Sequence, residues 1–545
     1  MGKYILVFII SISPILVNGQ SSCIDHFKID HINWWKLDQG LDSLASISWN
    51  KGVEYLRLKN NHPKKQIKIA VIDTDFDLDH KLLNDLVIIK QNEFLNYHFD
   101  DDNNGYIDDY SGWNFLGIKK RDSALAYVQM ESTRLLNQYN STTFKKLKRK
   151  NKLPFKYVDV KSSFDSTVIS LEKKINAYKE IEPNYTYVMD TLQKLILDKI
   201  SLKTLKEFHS PNDTIMGYVN FARYYYEKDF PYDEFIDHLN LYKLSLDICM
   251  NLDYDNHELI EENTTSLQNT KYGNNIFGKN ITYLTHGTTV TGVIAHSLVD
   301  STSINKKQSS LIKPGVIMPI TFTGIGDFTD KDFYSAFKYA INNDVNIINL
   351  SQSKEFTIHP KILKKALNLA KKNNVLVVMS AGNQASNLDD MWRFPQSIPK
   401  LYNKDFDNLI IVGATTKTLN ENLIDQDSNY GLKSVDIFAP GEDIQTILPN
   451  NKFGTKSGTS FATPIVTNLA LLLWSHYPEL KASEIRKIIL ESGFKYDGMV
   501  NVPCDSEENP NCKNTPQKKF SNLSKSGKLV NTLNAIKLAN SKISN

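Results

Sequence analysis

The sequence predicts an α/β fold, a doubly wound and mostly parallel sheet that carries a large, mainly helical insertion. Three observations predict it. From Gly315 onward, short β-branched runs alternate with amphipathic helical stretches, the pattern of buried parallel strands and their crossover helices. An earlier run, Gln66–Asp73, has the same character and ends in a carboxylate. Between the two, from about Lys119 to Thr270, the β-branched runs stop while Lys, Tyr and Asn rise. At 545 residues the chain exceeds the size at which single cores stop growing, and an insertion in one domain accounts for the excess.

The first segment is Met1-Gly2-Lys3 followed by an apolar run from Tyr4 to Val17, interrupted by Pro14. That run falls short of the ~20 residues of a membrane helix. With small residues at Val17 and Gly19, residues 1–19 read as a signal peptide cut before Gln20. The mature protein is therefore expected to be secreted, or held in the periplasm or cell envelope. No later segment is apolar enough for a stable membrane span. Residues 20–118 then form the first part of the sheet domain, 119–270 the insertion and 271–545 the second part.

Gln66–Asp73 is a parallel strand delivering a functional residue at its carboxyl end. In the insertion, Val168, Leu171, Ile175 and Tyr178 recur at helical spacing, as do Val188, Leu192, Leu195 and Ile196. Gly315–Thr323 is a strand, Thr329–Ile341 a helix with Thr329 and Asp332 as its capping box, and Val345–Ser351 a strand. Pro360–Lys372 is a helix with Ile362, Leu363, Ala366, Leu369 and Ala370 on one face, and strands follow at Val375–Ser380 and Leu409–Gly413. Ligands of such a sheet bind beyond the carboxyl ends of its strands.

A formal net charge of +3 gives no reason to expect nucleic acid as a partner, and no redox or nucleotide cofactor signature is present. The cluster Lys145, Lys146, Lys148, Arg149, Lys150 and Lys152 reads as a solvated face. Cys504 and Cys512 lie close together in a polar loop and are the natural disulfide, leaving Cys23 with Cys249; free or buried thiols are the alternative.

Four motifs carry chemistry. Gly454–Pro464 (GTKSGTSFATP) places small residues before Ser460 and starts a helix there, so free N–H groups face a developing oxyanion. His286-Gly287-Thr288-Thr289-Val290 opens a small-residue helix, Asp73 ends the first strand, and Asn383 closes Ser380-Ala381-Gly382-Asn383. The order Asp, His, Ser in these contexts resembles the subtilase family over residues 33–117, 271–497 and 524–539. The resemblance implies a subtilisin-like fold and a serine endopeptidase, with Ser460 as nucleophile, His286 as general base, Asp73 orienting the imidazole and Asn383 in the oxyanion hole. It also implies a protein or peptide substrate lying as an extended strand beside Asn349, Leu350, Ser351, Gln352 and Ser353 on one edge and Met379, Ser380, Ala381 and Gly382 on the other.

Several positions depart from that family. Asp75 stands where Gly is usual and could raise the pKa of His286 or perturb its pairing. Ser353 replaces a Gly and could narrow the first specificity pocket, while Asn468 touches packing. About fifty residues separate Gln20 from Asp73, leaving no conventional folding propeptide. The alternative is a non-catalytic binding protein on the same fold, supported by Asp75 and Ser353.

The loop Asp100–Asp109 alternates oxygen ligands about Gly105 and closes with Gly112-Trp113-Asn114-Phe115. Asp100, Asp102, Asn104, Tyr106 and Asp108 are its expected calcium ligands, and a solvated Asx-rich turn is the alternative. The insertion is expected to gate or select substrates, its tyrosines Tyr224, Tyr225 and Tyr226 offering either a contact rim or a core.

Overall fold

The computed structural model describes residues 33–93, 98–118, 122–228, 230–253, 256–260, 266–298, 315–504 and 517–543. The expected signal peptide over 1–19, Cys23 and Cys512 lie outside them. The chain divides into two compact units, one containing residues 181–236 and the other residues 28–180 and 237–545.

The larger unit is built on β1 (Ile67–Asp73), β2 (Trp113–Asn114), β3 (Gly315–Thr321), β4 (Ile347–Leu350), β5 (Leu376–Ser380), β6 (Leu409–Thr415), β7 (Ile437–Pro440), β8 (Phe494–Lys495) and β9 (Lys528–Leu529). They form one sheet in the order β8-β9-β7-β6-β5-β4-β1-β3-β2, parallel except between β8 and β9. β4, β5 and β6 are buried along their whole length, which only a sheet covered on both faces allows. β1 lies between β3 and β4, so the winding reverses at β1 and opens a crevice beyond its carboxyl end. Asp73 stands there.

The predicted strands appear with shifted ends, for identifiable reasons. β4 starts at Ile347 because the N–H of Val345 still bonds Ala340 at the end of the preceding helix. It stops at Leu350 because Ser351 turns to the helix of Ser460. β6 runs on to Thr415, where Gly413, Ala414 and Thr415 pair with Phe438, Ala439 and Pro440.

Five helices matter for function: α1 (Glu131–Gln138), α2 (His286–Leu298), α3 (Asp330–Asn342), α4 (Pro360–Lys372) and α5 (Thr459–His476). The predicted capping box of α3 is present, with Thr329 Oγ1 accepting from the N–H of Asp332 and the Asp332 carboxylate accepting from the N–H of Thr329. α5 is buried at every residue, and Asn468 on it donates to the carbonyl of Val293 on α2 at 3.0 Å, the packing role expected of it. None of the described helices is long and apolar enough to cross a membrane.

The described part of the insertion is mainly helical, with helices at Glu131–Gln138, Ser141–Asn151, Tyr157–Leu195, Leu202–Glu207, Asp213–Glu227 and Tyr232–Leu244 joined by loops. The smaller compact unit is narrower than the 119–270 expected for the insertion. Within it the ring of Tyr185 is fully buried, stacked on Tyr225 and met edge-on by Phe221, Tyr232 and Phe235. Tyr225 thus serves a core while Tyr224 stays 59% exposed. Lys145, Lys146, Arg149, Lys150 and Lys152 are exposed, as a solvated face requires.

In the larger unit, α1 is tied to the sheet domain by buried charges. Lys354 Nζ lies 3.0 Å from Glu131 Oε1 and 2.9 Å from Asp330 Oδ1, and donates to the carbonyl of Phe328 at 2.9 Å. Arg134 closes on the other Glu131 oxygen at 2.6 Å and donates to the carbonyls of Gln129 and Asp327. Burial pushes the Asp330 carboxyl up, but Lys354 and the N–H of His359 outweigh it and hold it below its ordinary value.

Candidate active site

Asp73, His286 and Ser460 come from three different elements; Asp73 and His286 meet beyond the carboxyl end of β1, and Ser460 stands next to Phe461, whose ring lies 6.0 Å from the imidazole. Asp73 is fully buried and its Oδ1 accepts from Nδ1 of His286 at 2.6 Å, which assigns a ring proton to Nδ1. The same oxygen accepts from the N–H of Thr74 at 2.8 Å. α2 is stitched to the loop after β1: the N–H of Gly287 donates to Thr74 Oγ1 at 2.9 Å, and Thr288 Oγ1 accepts from the N–H of Asp77 at 2.9 Å. A Cβ on Gly287 would stand 2.7 Å from the carbonyl oxygen of Asp75, so only glycine lets the helix approach this closely.

Ser460 sits in the first turn of α5, mostly buried, with its Oγ donating to the carbonyl of Ser351 at 3.3 Å. Ser351 Oγ returns a bond to the carbonyl of Ser460 at 3.0 Å. The first intrahelical hydrogen bond is made by Phe461 to Gly458, so the N–H of Ser460 precedes the helical ladder as an oxyanion donor must. Asn383 stands beside it: its Oδ1 accepts from the N–H and the hydroxyl of Thr459, at 3.0 and 2.7 Å, which leaves Nδ2 as its donor. Gly458, at φ +120°, brings its Cα close enough that a Cβ would lie 3.0 Å from Asn383 Nδ2.

Asn349 and Leu350 end β4, and Ser351, Gln352 and Ser353 follow it; Met379 and Ser380 end β5, and Ala381 and Gly382 follow. Ser353 Oγ lies 3.6 Å from where a Cβ on Gly382 would stand, so the two edges do face each other. A residue missed in the sequence clamps them. Gln396, buried just after Pro395, donates through Nε2 to the carbonyls of Ser380 at 2.8 Å and Gln352 at 3.2 Å. Nothing in its local sequence signals that role.

Asp75, the first departure from the family, is taken up by backbone N–H groups. Its carboxylate accepts the N–H groups of Gly278, Asn280 and Phe76 at 2.9, 2.9 and 2.8 Å, so it organises the loop that leads into α2. Burial, the largest influence, keeps its pKa above the ordinary value despite these bonds. Cys249 is a buried free thiol donating to the carbonyl of Ile325, which removes it from the expected pairing with Cys23. Cys504 is disulfide-bonded.

In the acidic loop, Asp100 and Asp102 come together with Glu93, which the sequence reading missed. Asn104 donates to Asp102 and Asp109, and the N–H of Tyr106 bonds Asn104 Oδ1. Asp108 lies outside that cluster of three, its Oδ2 accepting from the N–H of His98. Lys90 and the hydroxyl of Tyr339 take up Asp109. Among the described residues, Glu93 Oε2 and Asp108 Oδ1 are buried with no hydrogen-bond partner, and burial followed by the charges of Asp109, Asp102 and Asp101 pushes the Glu93 carboxyl up. Orphaned carboxylate oxygens beside paired aspartates are what a hard cation relieves, so the residues fit Ca²⁺.

A model of the Subtilase family matches residues 64–520. Among curated proteins, the chain is 28% identical to subtilisin-like protease 3 of Plasmodium falciparum (isolate 3D7), over 40% of this chain and 30% of that protein. It is 28% identical to subtilisin DY of Bacillus licheniformis, over 40% of this chain and 76% of that one. A solved structure of the prenylagaramide maturation protease PagA aligns with 47% of this chain and 82% of its own at 24% identity and a TM-score of 0.34. The chain thus spans under a third of its Plasmodium relative and about three quarters of the Bacillus one.

Proposed function

The chain belongs to the subtilase family, and on that premise we propose that it is an exported serine endopeptidase working through an acyl-enzyme. The observation that carries the reading is the 2.6 Å bond between buried Asp73 and Nδ1 of His286, made where α5 presents Ser460. Rotation of the Ser460 hydroxyl from Ser351 toward Nε2 of His286 would let the imidazole take its proton as Oγ attacks the scissile carbonyl. Asp73 would stabilise the imidazolium, and the imidazolium would return the proton to the leaving amine. The Asn383 amide and the Ser460 N–H would hold the oxyanion. An extended peptide or protein strand would lie between Ser351–Ser353 and Ser380–Gly382, with Gln396 keeping the two edges in register.

Calcium is part of this proposal, held by Glu93, Asp100 and Asp102, and its positive charge would stabilise the loop without entering the reaction. Export through residues 1–19 is the remaining part. The test is digestion of an unfolded protein by the wild-type chain and by Ser460→Ala, His286→Ala and Asp73→Asn. Each change should remove most turnover, and Ser460→Ala with His286→Ala should be no worse than Ser460→Ala alone, because the three act as one unit. Undiminished cleavage by Ser460→Ala would refute the reading.

A further inference from the structure

Gln352 follows β4 on the substrate side of the crevice, yet its side chain does not simply line that edge. Its Nε2 lies 3.0 Å from Asp73 Oδ1 and 3.1 Å from Nδ1 of His286. The chemistry of the three groups fixes which contact is a bond. At 2.6 Å the Asp73–His286 contact needs a proton between its atoms, and that proton sits on Nδ1. Nδ1 is then a donor, so the amide hydrogen of Gln352 goes to the carboxylate. A flipped amide would set its oxygen against that carboxylate. Asp73 Oδ1 therefore receives three hydrogens, from Thr74, His286 and Gln352.

The backbone around Gln352 is held from several sides. Ser351 exchanges bonds with Ser460 on one side of it. Gln396 holds its own carbonyl, and the N–H and carbonyl of Lys354 both pair with Phe394. A backbone so anchored fixes where the glutamine starts, so that only its side-chain torsions remain to be ordered at the dyad. Among the described residues, Asp73 is the charged group bonded to His286; Asp75 is occupied by backbone N–H groups, and α5 presents Ser460 and the ring of Phe461, 6.0 Å from the imidazole.

We propose that Gln352 is a positioning residue of the catalytic centre, its amide fixing Asp73 and spreading the charge that Asp73 presents to His286. This rests on the serine-protease reading and adds two consequences to it. Removing the donor loosens the carboxylate, and it also concentrates negative charge on Nδ1–H, so the imidazole keeps its proton to higher pH.

The test uses the full chain with Gln352→Met, which keeps the length without a donor, and Gln352→Glu, which keeps the shape. Gln352→Met should lower kcat about tenfold on a short peptide with KM nearly unchanged, the size expected for one hydrogen bond to a charged group. The acid limb of its kcat profile should move to higher pH. Gln352→Glu should move that limb further once ionised, and recover toward wild type at acid pH, where its carboxyl can donate. The downfield proton resonance of the His286 Nδ1–H should shift in both variants and titrate at higher pH, and this readout needs no turnover. If the methionine variant fails to fold, the glutamate variant carries the same comparison. A rise in KM with an unmoved acid limb and an unmoved resonance would make Gln352 a wall of the substrate cleft and overturn the proposal. A wild-type chain that neither cleaves nor reacts at Ser460 would instead refute the protease reading, while the resonance would still decide the role of Gln352.

Discussion

Replacing Lys354 by methionine should be among the most damaging single changes outside the catalytic residues. Its ammonium lies 3.0 Å from Glu131 and 2.9 Å from Asp330, and all three side chains are at most 3% exposed. Methionine fills much of the same volume but leaves Glu131, Asp330 and nearby Asp327 with Arg134 as the remaining cation of this network. Glu131 keeps Arg134 and the N–H of Ile358, and Asp330 keeps the Thr357 hydroxyl and the N–H of His359, so neither is stripped bare. Breaking one partner of a buried pair typically costs about 3–5 kcal/mol, and that is the loss expected here. Urea unfolding followed by intrinsic fluorescence reads it, with Lys161→Met as control, because Lys161 pairs with Asp165 at half-exposed positions. The control should leave the unfolding midpoint unchanged, because an exposed pair is screened by solvent. The double change Lys354→Met with Glu131→Gln should cost clearly less than the sum of the two, since it removes both charges. A loss for Lys354→Met below about 1 kcal/mol would mean that water reaches the network, and the reasoning from burial would fail.

Asn383→Ala should lower kcat by about 10²–10³ with little change in KM; that size is the one known for the corresponding donor in a subtilisin, and steady-state kinetics on a peptide check it. Adding EDTA should lower the melting temperature and calcium should restore it, while Glu93→Gln should weaken the restoration; an unchanged melting temperature would remove the ion from the account. Asp330 and Asp332 are both held below their ordinary values, in each case against burial, by Lys354 for the first and by His257 for the second. A depressed carboxylate contributes stability that is present above its unfolded value of about 3.9 and is lost as pH falls through the lower folded value. Asp330→Asn should therefore cost most at neutral pH, and the difference from wild type should shrink below about pH 4, as unfolding midpoints across pH would report.

The chain showed most of its sheet and all of its proposed triad in local sequence, because each of those residues brings a signature of its own. Asp73 ends a β-branched run, His286 opens a small-residue helix and Ser460 follows two glycines at the start of an apolar one. The buried strands were readable for the same reason, since a strand covered on both faces is apolar throughout. What stayed hidden depends on where side chains point after folding. Gln352 is 279 residues from Asp73 and Lys354 is 223 from Glu131, and neither has a local pattern that announces its partner. Gln396 and Glu93 are likewise ordinary residues in ordinary surroundings until the fold closes on them. Asp75 shows the converse, a carboxylate whose sequence position suggests interference with His286 but whose hydrogen bonds go to the loop at Gly278 and Asn280.

The central claim is that Ser460 is an activated nucleophile, and covalent labelling by a fluorophosphonate tests it most directly. Such a reagent phosphonylates a serine only where a neutral imidazole can take its proton and an oxyanion hole receives the oxygen. The account predicts one adduct, on the peptide carrying Ser460, forming faster as pH rises through the acid limb and absent from Ser460→Ala and His286→Ala. A folded wild-type chain that stays unlabelled across that pH range, or a label that persists in Ser460→Ala, would contradict it.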